Sequence, residues 1–149
     1  MKKLVLPLLF LVTFSSLAYG QEAYMELLRS DVKSQKVAII TSIMEFTDEE
    51  AAVFWPLQRE FQLELDKLAD QRLQLIKEYA ATWASVTNEQ AGEFVKKSFG
   101  FQEKRIELQK KYFEKIGKAI SPSRAAKYMQ VERQINLLID LQLASNIPM

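Results

Sequence analysis

The chain has 149 residues, with 20 basic and 19 acidic side chains, no histidine and no cysteine. The balanced charge gives no reason to expect nucleic acid or another strongly charged partner. The missing residue types exclude cysteine nucleophiles, Ser-His triads, the usual zinc sites and the Glu-x-x-His helices of di-iron bundles.

Residues 1–20 read as a signal peptide. Lys2 and Lys3 form a basic start, Leu4 to Val12 an apolar stretch, and Ser15 to Gly20 a small-residue exit. Ala18-Tyr19-Gly20 places cleavage before Gln21, with a cut after Ala18 as the alternative. The apolar run is too short to span a bilayer comfortably. No cysteine follows the exit, which argues against a lipid anchor. Residues 21–149 then form a single helical domain with 18 basic and 19 acidic residues, a formal charge of −1. An exported domain without disulfides fits the bacterial periplasm better than a small disulfide-stapled secreted protein.

Apolar residues recur at three- and four-residue steps, which predicts an all-α fold of four helices. The first runs from about Ala23 to Met44, with Met25, Leu28, Val32, Ile39 and Ile43 on its apolar side. Phe46-Thr47-Asp48-Glu49-Glu50 then opens the second helix with a capping box, in which Thr47 and Glu50 exchange bonds with each other's backbone. This helix extends to about Ser85, on the order of 55 Å at 1.5 Å per residue. Its seam is Phe54, Leu57, Phe61, Leu65, Leu68, Ile76, Tyr79 and Trp83, and Pro56 predicts a kink near Ala52 to Trp55. Carboxylates cluster at its start, at Glu45, Asp48, Glu49 and Glu50, where they complement the helix dipole.

Val86-Thr87-Asn88-Glu89-Gln90 repeats the cap, with Thr87 and Gln90 in the paired roles. The third helix, Asn88 to Lys118, carries two apolar rows at seven-residue spacing. One is Phe94, Phe101 and Leu108; the other is Phe99, Ile106, Phe113 and Ile120. Together they are wider than one antiparallel neighbour requires, so the helix either contacts two helices or meets another molecule. Gly100 marks a bend or a close helix contact. Lys97, Lys104, Lys111 and Lys118 also recur at seven; Glu93, Glu107 and Glu114 stand four residues before three of them, which predicts intrahelical pairs and a self-compensated stripe.

Ser121 caps the fourth helix, with Pro122 at its first position, and the helix runs to about Ser145. Ile135 to Ala144 is apolar nearly all round, which calls for burial in a homodimer or within a four-helix core. Asp140 in its middle argues against a membrane span. The expected architecture is a long antiparallel helical hairpin in an extended bundle.

At its two capped turns the chain resembles the Spy/CpxP-like periplasmic proteins, whose mark is a repeated Leu-Thr-x-x-Gln motif. Val86-Thr87-Asn88-Glu89-Gln90 matches with valine for leucine; Phe46-Thr47-Asp48-Glu49-Glu50 departs at its first and last positions. The resemblance implies a cradle-shaped homodimer of the envelope stress response. Such proteins include ATP-independent chaperones and inhibitors of a sensor kinase. The metal-sensing branch of the family works through histidines, which this chain lacks. The reading is therefore a non-enzymatic protein with no catalytic residue, no metal and no cofactor. It holds apolar segments of unfolded or envelope proteins through Trp55, Trp83, Phe94, Phe99, Phe101 and Phe113. The alternatives are a regulatory or structural partner of one envelope protein, or association with a membrane surface.

Overall fold

The computed structural model describes residues 34–144, without the side chains of residues 142 and 143. The expected signal peptide, the start of the first helix with Met25, Leu28 and Val32, and the expected end at Ser145 lie outside the described residues. The fold is all-α. Contacts divide the chain at Ile39/Ile40. Of the first unit, the described part is the helical stretch 34–39. The second unit contains the remainder of that helix, α1 (34–44), followed by α2 (Asp48–Thr82), a short 3-10 turn (Trp83–Ser85), α3 (Asn88–Ala119) and α4 (Pro122–Ala144).

Local chemistry sets each boundary. Glu45 ends α1 in the left-handed region (φ 48°), and its N–H still bonds the Thr41 carbonyl at 3.2 Å. Thr47 and Thr87 both form complete capping boxes. The Glu50 N–H donates to the Thr47 hydroxyl at 3.2 Å, and the Thr47 N–H returns a bond to the Glu50 carboxylate at 3.2 Å. The Thr87–Gln90 pair repeats this at 3.2 and 2.9 Å. At α4 the Arg124 N–H donates to the Ser121 hydroxyl at 3.2 Å. Each cap satisfies donors that the first helical turn leaves unpaired. Pro56 lies inside α2, which stays helical from Asp48 to Thr82. The Ala52 carbonyl lacks its helical donor there, but Ala52 and Pro56 are both exposed, so water can supply the bond.

α2 and α3 form an antiparallel hairpin, and α4 folds back along it, antiparallel to α3. The turn into α4 is close: a Cβ placed on Gly117 would lie 3.6 Å from the Pro122 Cα and 3.8 Å from the Ala125 Cβ. The core runs along the inner stripe as a chain of rings. Phe46 meets Phe54 at 4.3 Å, Phe54 meets Tyr128 at 4.9 Å, Tyr128 meets Phe61 at 6.3 Å, and Phe61 meets Tyr112 at 4.9 Å between centroids. Leu65, Leu68, Ile116, Val131 and Ile135 extend it, with Ile40 and Met44 of α1 also buried.

Four expectations need correction. On α1 the buried pair is Ile40 and Met44, whereas Ile39 and Ile43 are exposed; the helix is turned by about one residue, 100°, from the face its sequence suggested. On α2 the seam includes buried Gln58, whose amide stands beside the Tyr128 hydroxyl, while Trp83 at the far end is exposed. Of the two roles expected for Gly100, a bend or a close helix contact, the contact is absent, since a Cβ there would meet nothing within 4 Å. Finally, the apolar end of α4 is not enclosed in a core within the chain: Leu137, Leu138 and Leu141 are exposed on it, because α4 presents only one stripe to the hairpin.

That stripe is partly polar. Glu132 is fully buried on α4 and accepts from the Tyr128 hydroxyl (3.1 Å) and the Asn136 amide (3.0 Å). Asp140 joins α4 to both hairpin helices, taking a bond from Arg72 of α2 and one from Arg105 of α3 at 2.8 Å. Both guanidiniums also stand over the Phe101 ring, at 5.0 and 5.6 Å from its centroid. The shared Asp140 carboxylate and the Phe101 ring offset the repulsion between these two cations and hold both in place.

Candidate functional site

The two apolar rows of α3 have separate fates. Phe94 and Phe101 turn toward α2 and are half-buried. Phe94 stacks on Tyr79 at 4.1 Å, and Phe101 carries the two arginines. The other row remains outside: Phe99 is 64% exposed, Ile106 49% and Phe113 38%, with Val95 exposed one turn before Phe99. Residues seven apart return to nearly the same side of a helix, so these side chains form one stripe. α3 meets both α2 and α4, and this stripe is what those contacts leave over.

The six aromatic candidates therefore divide. Phe99 and Phe113 belong to the exposed stripe, and Trp83 is exposed at the tip of the hairpin, 5.9 Å from Tyr79. Trp55 packs edge-on against Phe54 at 5.1 Å and near Phe46, which places it at the margin of the core. Phe94 and Phe101 hold the hairpin together. Thr47, Glu50, Thr87, Gln90 and Ser121 are all helix caps. Sequence reasoning did not single out Val95 and Ile106 as site residues, although Ile106 lies seven residues from both Phe99 and Phe113 and Val95 lies one helical turn before Phe99. Leu137, Leu138 and Leu141 escaped because an all-round apolar helix reads as buried.

The basic stripe of α3 is also arranged differently from the expectation. None of the i−4 pairs forms an ion pair. Glu93 takes its bond from Lys96 at 2.9 Å, and Lys111 reaches across to Glu64 of α2 at 2.8 Å. Lys115 similarly reaches Glu60 at 3.0 Å. The acidic residues of α2 offer partners across the seam that an isolated helix would not have. Among the described residues Lys97, Lys104 and Lys118 make no ion pair. Glu64 also accepts from the Tyr112 hydroxyl at 2.7 Å. The Lys111 and Tyr112 bonds hold the Glu64 carboxyl below its usual range. Burial, followed by the bond to Glu64, pushes the Tyr112 hydroxyl far up.

The carboxylates at the start of α2 have structural roles. Glu50 pairs with Arg124 of α4 through both oxygens, which lowers its pKa. Bonds to its own backbone and then to Thr47 do the same for Glu49. Among the described residues no cluster of three or more acidic, histidine or cysteine side chains could hold a metal ion. No helix among them is long and apolar enough to cross a membrane. No family model, curated protein or solved structure matches the chain.

Proposed function

We propose that the protein is an ATP-independent binding protein of the bacterial envelope, exported by residues 1–20, that holds apolar segments of other proteins. The observation that carries this reading is the exposed stripe Val95, Phe99, Ile106 and Phe113 on α3. Single exposed apolar residues are ordinary, but a row of them along one helix offers an extended surface for another apolar segment. Covering a large apolar side chain completely stabilises by about 1.5–3 kcal/mol, and these are already partly covered, so each contact is worth less. Several such contacts give a modest, reversible grip, suited to holding a client and releasing it without nucleotide. The second exposed group, Leu137, Leu138 and Leu141 on α4, adds apolar surface that a homodimer or a client would cover.

The test is light scattering from a chemically unfolded client diluted into buffer with the purified protein at several-fold excess. Suppressed aggregation without nucleotide is expected, with the effect reduced when Phe99 and Ile106 are both changed to serine. Unchanged aggregation would remove the reading. One dominant partner in a pull-down, without anti-aggregation activity, would instead mark a regulatory or structural partner of a single envelope protein.

A further inference from the structure

Between α2 and α3 lies an open groove of about 320 Å³, away from the stripe that carries the proposed function. Leu68, Leu75 and Phe101 give it an apolar lining, and Gly100 opens it in the middle of α3. Glycine is the least favourable residue after proline in a helix interior. Neither a positive φ nor a close neighbour calls for it at position 100, and a side chain there would enter empty space. What Gly100 does is leave the groove unfilled.

The rim of the groove is basic. Arg72 is committed to Asp140, and the one acidic lining residue, Glu78, accepts from the Gln74 amide at 3.1 Å. Lys97 and Lys104 line the groove from α3 and make no ion pair among the described residues. They stand two turns apart, about 10.5 Å along the helix. An apolar trough with two ammonium groups on one rim, Lys97 within the field of Glu93 but neither bonded to a carboxylate among the described residues, is complementary to an apolar side chain flanked by carboxylates. Because the groove is open, a chain can pass along it.

We propose that this groove binds acidic–apolar polypeptide segments, in which aspartate or glutamate flanks leucine or phenylalanine. The proposal rests on the client-binding reading and gives the chemistry of the client that this part of the hairpin selects.

The test uses two capped tetrapeptides, aspartate-leucine-phenylalanine-glutamate and its counterpart with lysine at both ends, titrated into isotopically labelled protein and followed by amide NMR. The acidic peptide is expected to shift the Gly100 and Phe101 amides and to bind at least tenfold more tightly than the basic one. Added salt should weaken its binding. Gly100→Leu, which fills the groove with a better helix former, should abolish the shifts without lowering the melting temperature. The double variant Lys97→Gln/Lys104→Gln, altered only at solvated side chains, should remove the preference for acid. Equal binding of the two peptides, retained affinity in Gly100→Leu, or shifts confined to other residues would overturn the proposal. So would binding of dodecanoate in place of the peptide, which would make the groove a site for small amphiphiles. Suppression of client aggregation by a protein that does not bind the acidic peptide sinks the groove and spares the function. Peptide binding without suppression does the reverse.

Discussion

Glu50 and Arg124 connect the starts of two helices that are far apart in sequence. The Glu50 carboxylate closes the capping box of α2 with the Thr47 N–H and at the same time receives the Arg124 guanidinium of α4 on both its oxygens. Arg124 also donates to the Glu45 carbonyl at 3.2 Å, at the one described non-glycine residue with positive φ. A local helix-start device thereby becomes a tertiary clamp.

Glu50→Gln separates these two roles, because glutamine can still close the capping box but gives up the charge. A lower melting temperature at pH 7 is expected. The sign of the pH dependence follows from the lowered Glu50 pKa, relative to an ordinary 4.5. Its contribution is present above that ordinary value and is lost as pH falls through the lower folded value. Melts from pH 7 to pH 3 should therefore bring wild type and variant together; a constant gap would show that the charge is not what matters.

Phe61 and Phe99 differ in burial although both are phenylalanines on apolar helix faces. Phe61→Ala should cost about 3–5 kcal/mol in urea unfolding, since it empties the ring chain between Tyr112 and Tyr128. Phe99→Ala should stay within about 0.5 kcal/mol. Similar losses at both positions would mean that the outer stripe is covered in solution.

Tyr128→Phe removes one of the donors that satisfy buried Glu132. A loss of about 1–3 kcal/mol is expected, because the cost falls on the carboxylate left short of a partner. An unchanged unfolding midpoint would contradict this account of Glu132.

Alkaline titration examines the two buried tyrosines. The hydroxyls of Tyr112 and Tyr128 are both pushed up, mainly by burial, from an ordinary value of 10.0. Stability is thus complete below about pH 10 and declines above it, as the unfolded chain ionises before the folded one. Tyr112→Phe should flatten that decline when unfolding is measured between pH 9 and pH 11.

Asp140→Asn leaves Arg72 and Arg105 without a shared counter-charge in a partly buried site. About 1–3 kcal/mol should be lost, with faster amide exchange in the last turns of α4. Exchange that changes equally throughout the molecule would show that the bridge has no local role.

How much of this could be read from the chain depended on the range of the interaction. Thr47, Thr87 and Ser121 were legible because a cap is written within four residues. The hairpin was legible because the seam positions Phe54, Phe61, Leu65 and Leu68 repeat at helical spacing over many turns. Lys111 was misread because its partner, Glu64, lies on another helix, where a competing i−4 carboxylate cannot hold it. Gln58 was passed over because its burial depends on Tyr128, seventy residues away in the chain. The exposure of Phe99 and Leu138 depends on how α4 lies on the hairpin, which periodicity alone does not specify.

Asp140 is the last point at which α4 joins α2 and α3 through ion pairs. Beyond Arg72, α2 continues for about 15 Å, while α4 continues for about 6 Å beyond Asp140. Among the described residues, the end of the hairpin carrying Tyr79, Trp83 and Phe94 is therefore the thinner one, and α4 thickens the end carrying Phe54, Tyr112 and Tyr128. Opening free energy follows local burial, so the thin end breathes first and the thick end last. The protein holds its grip at one end of a single pair of helices and its give at the other.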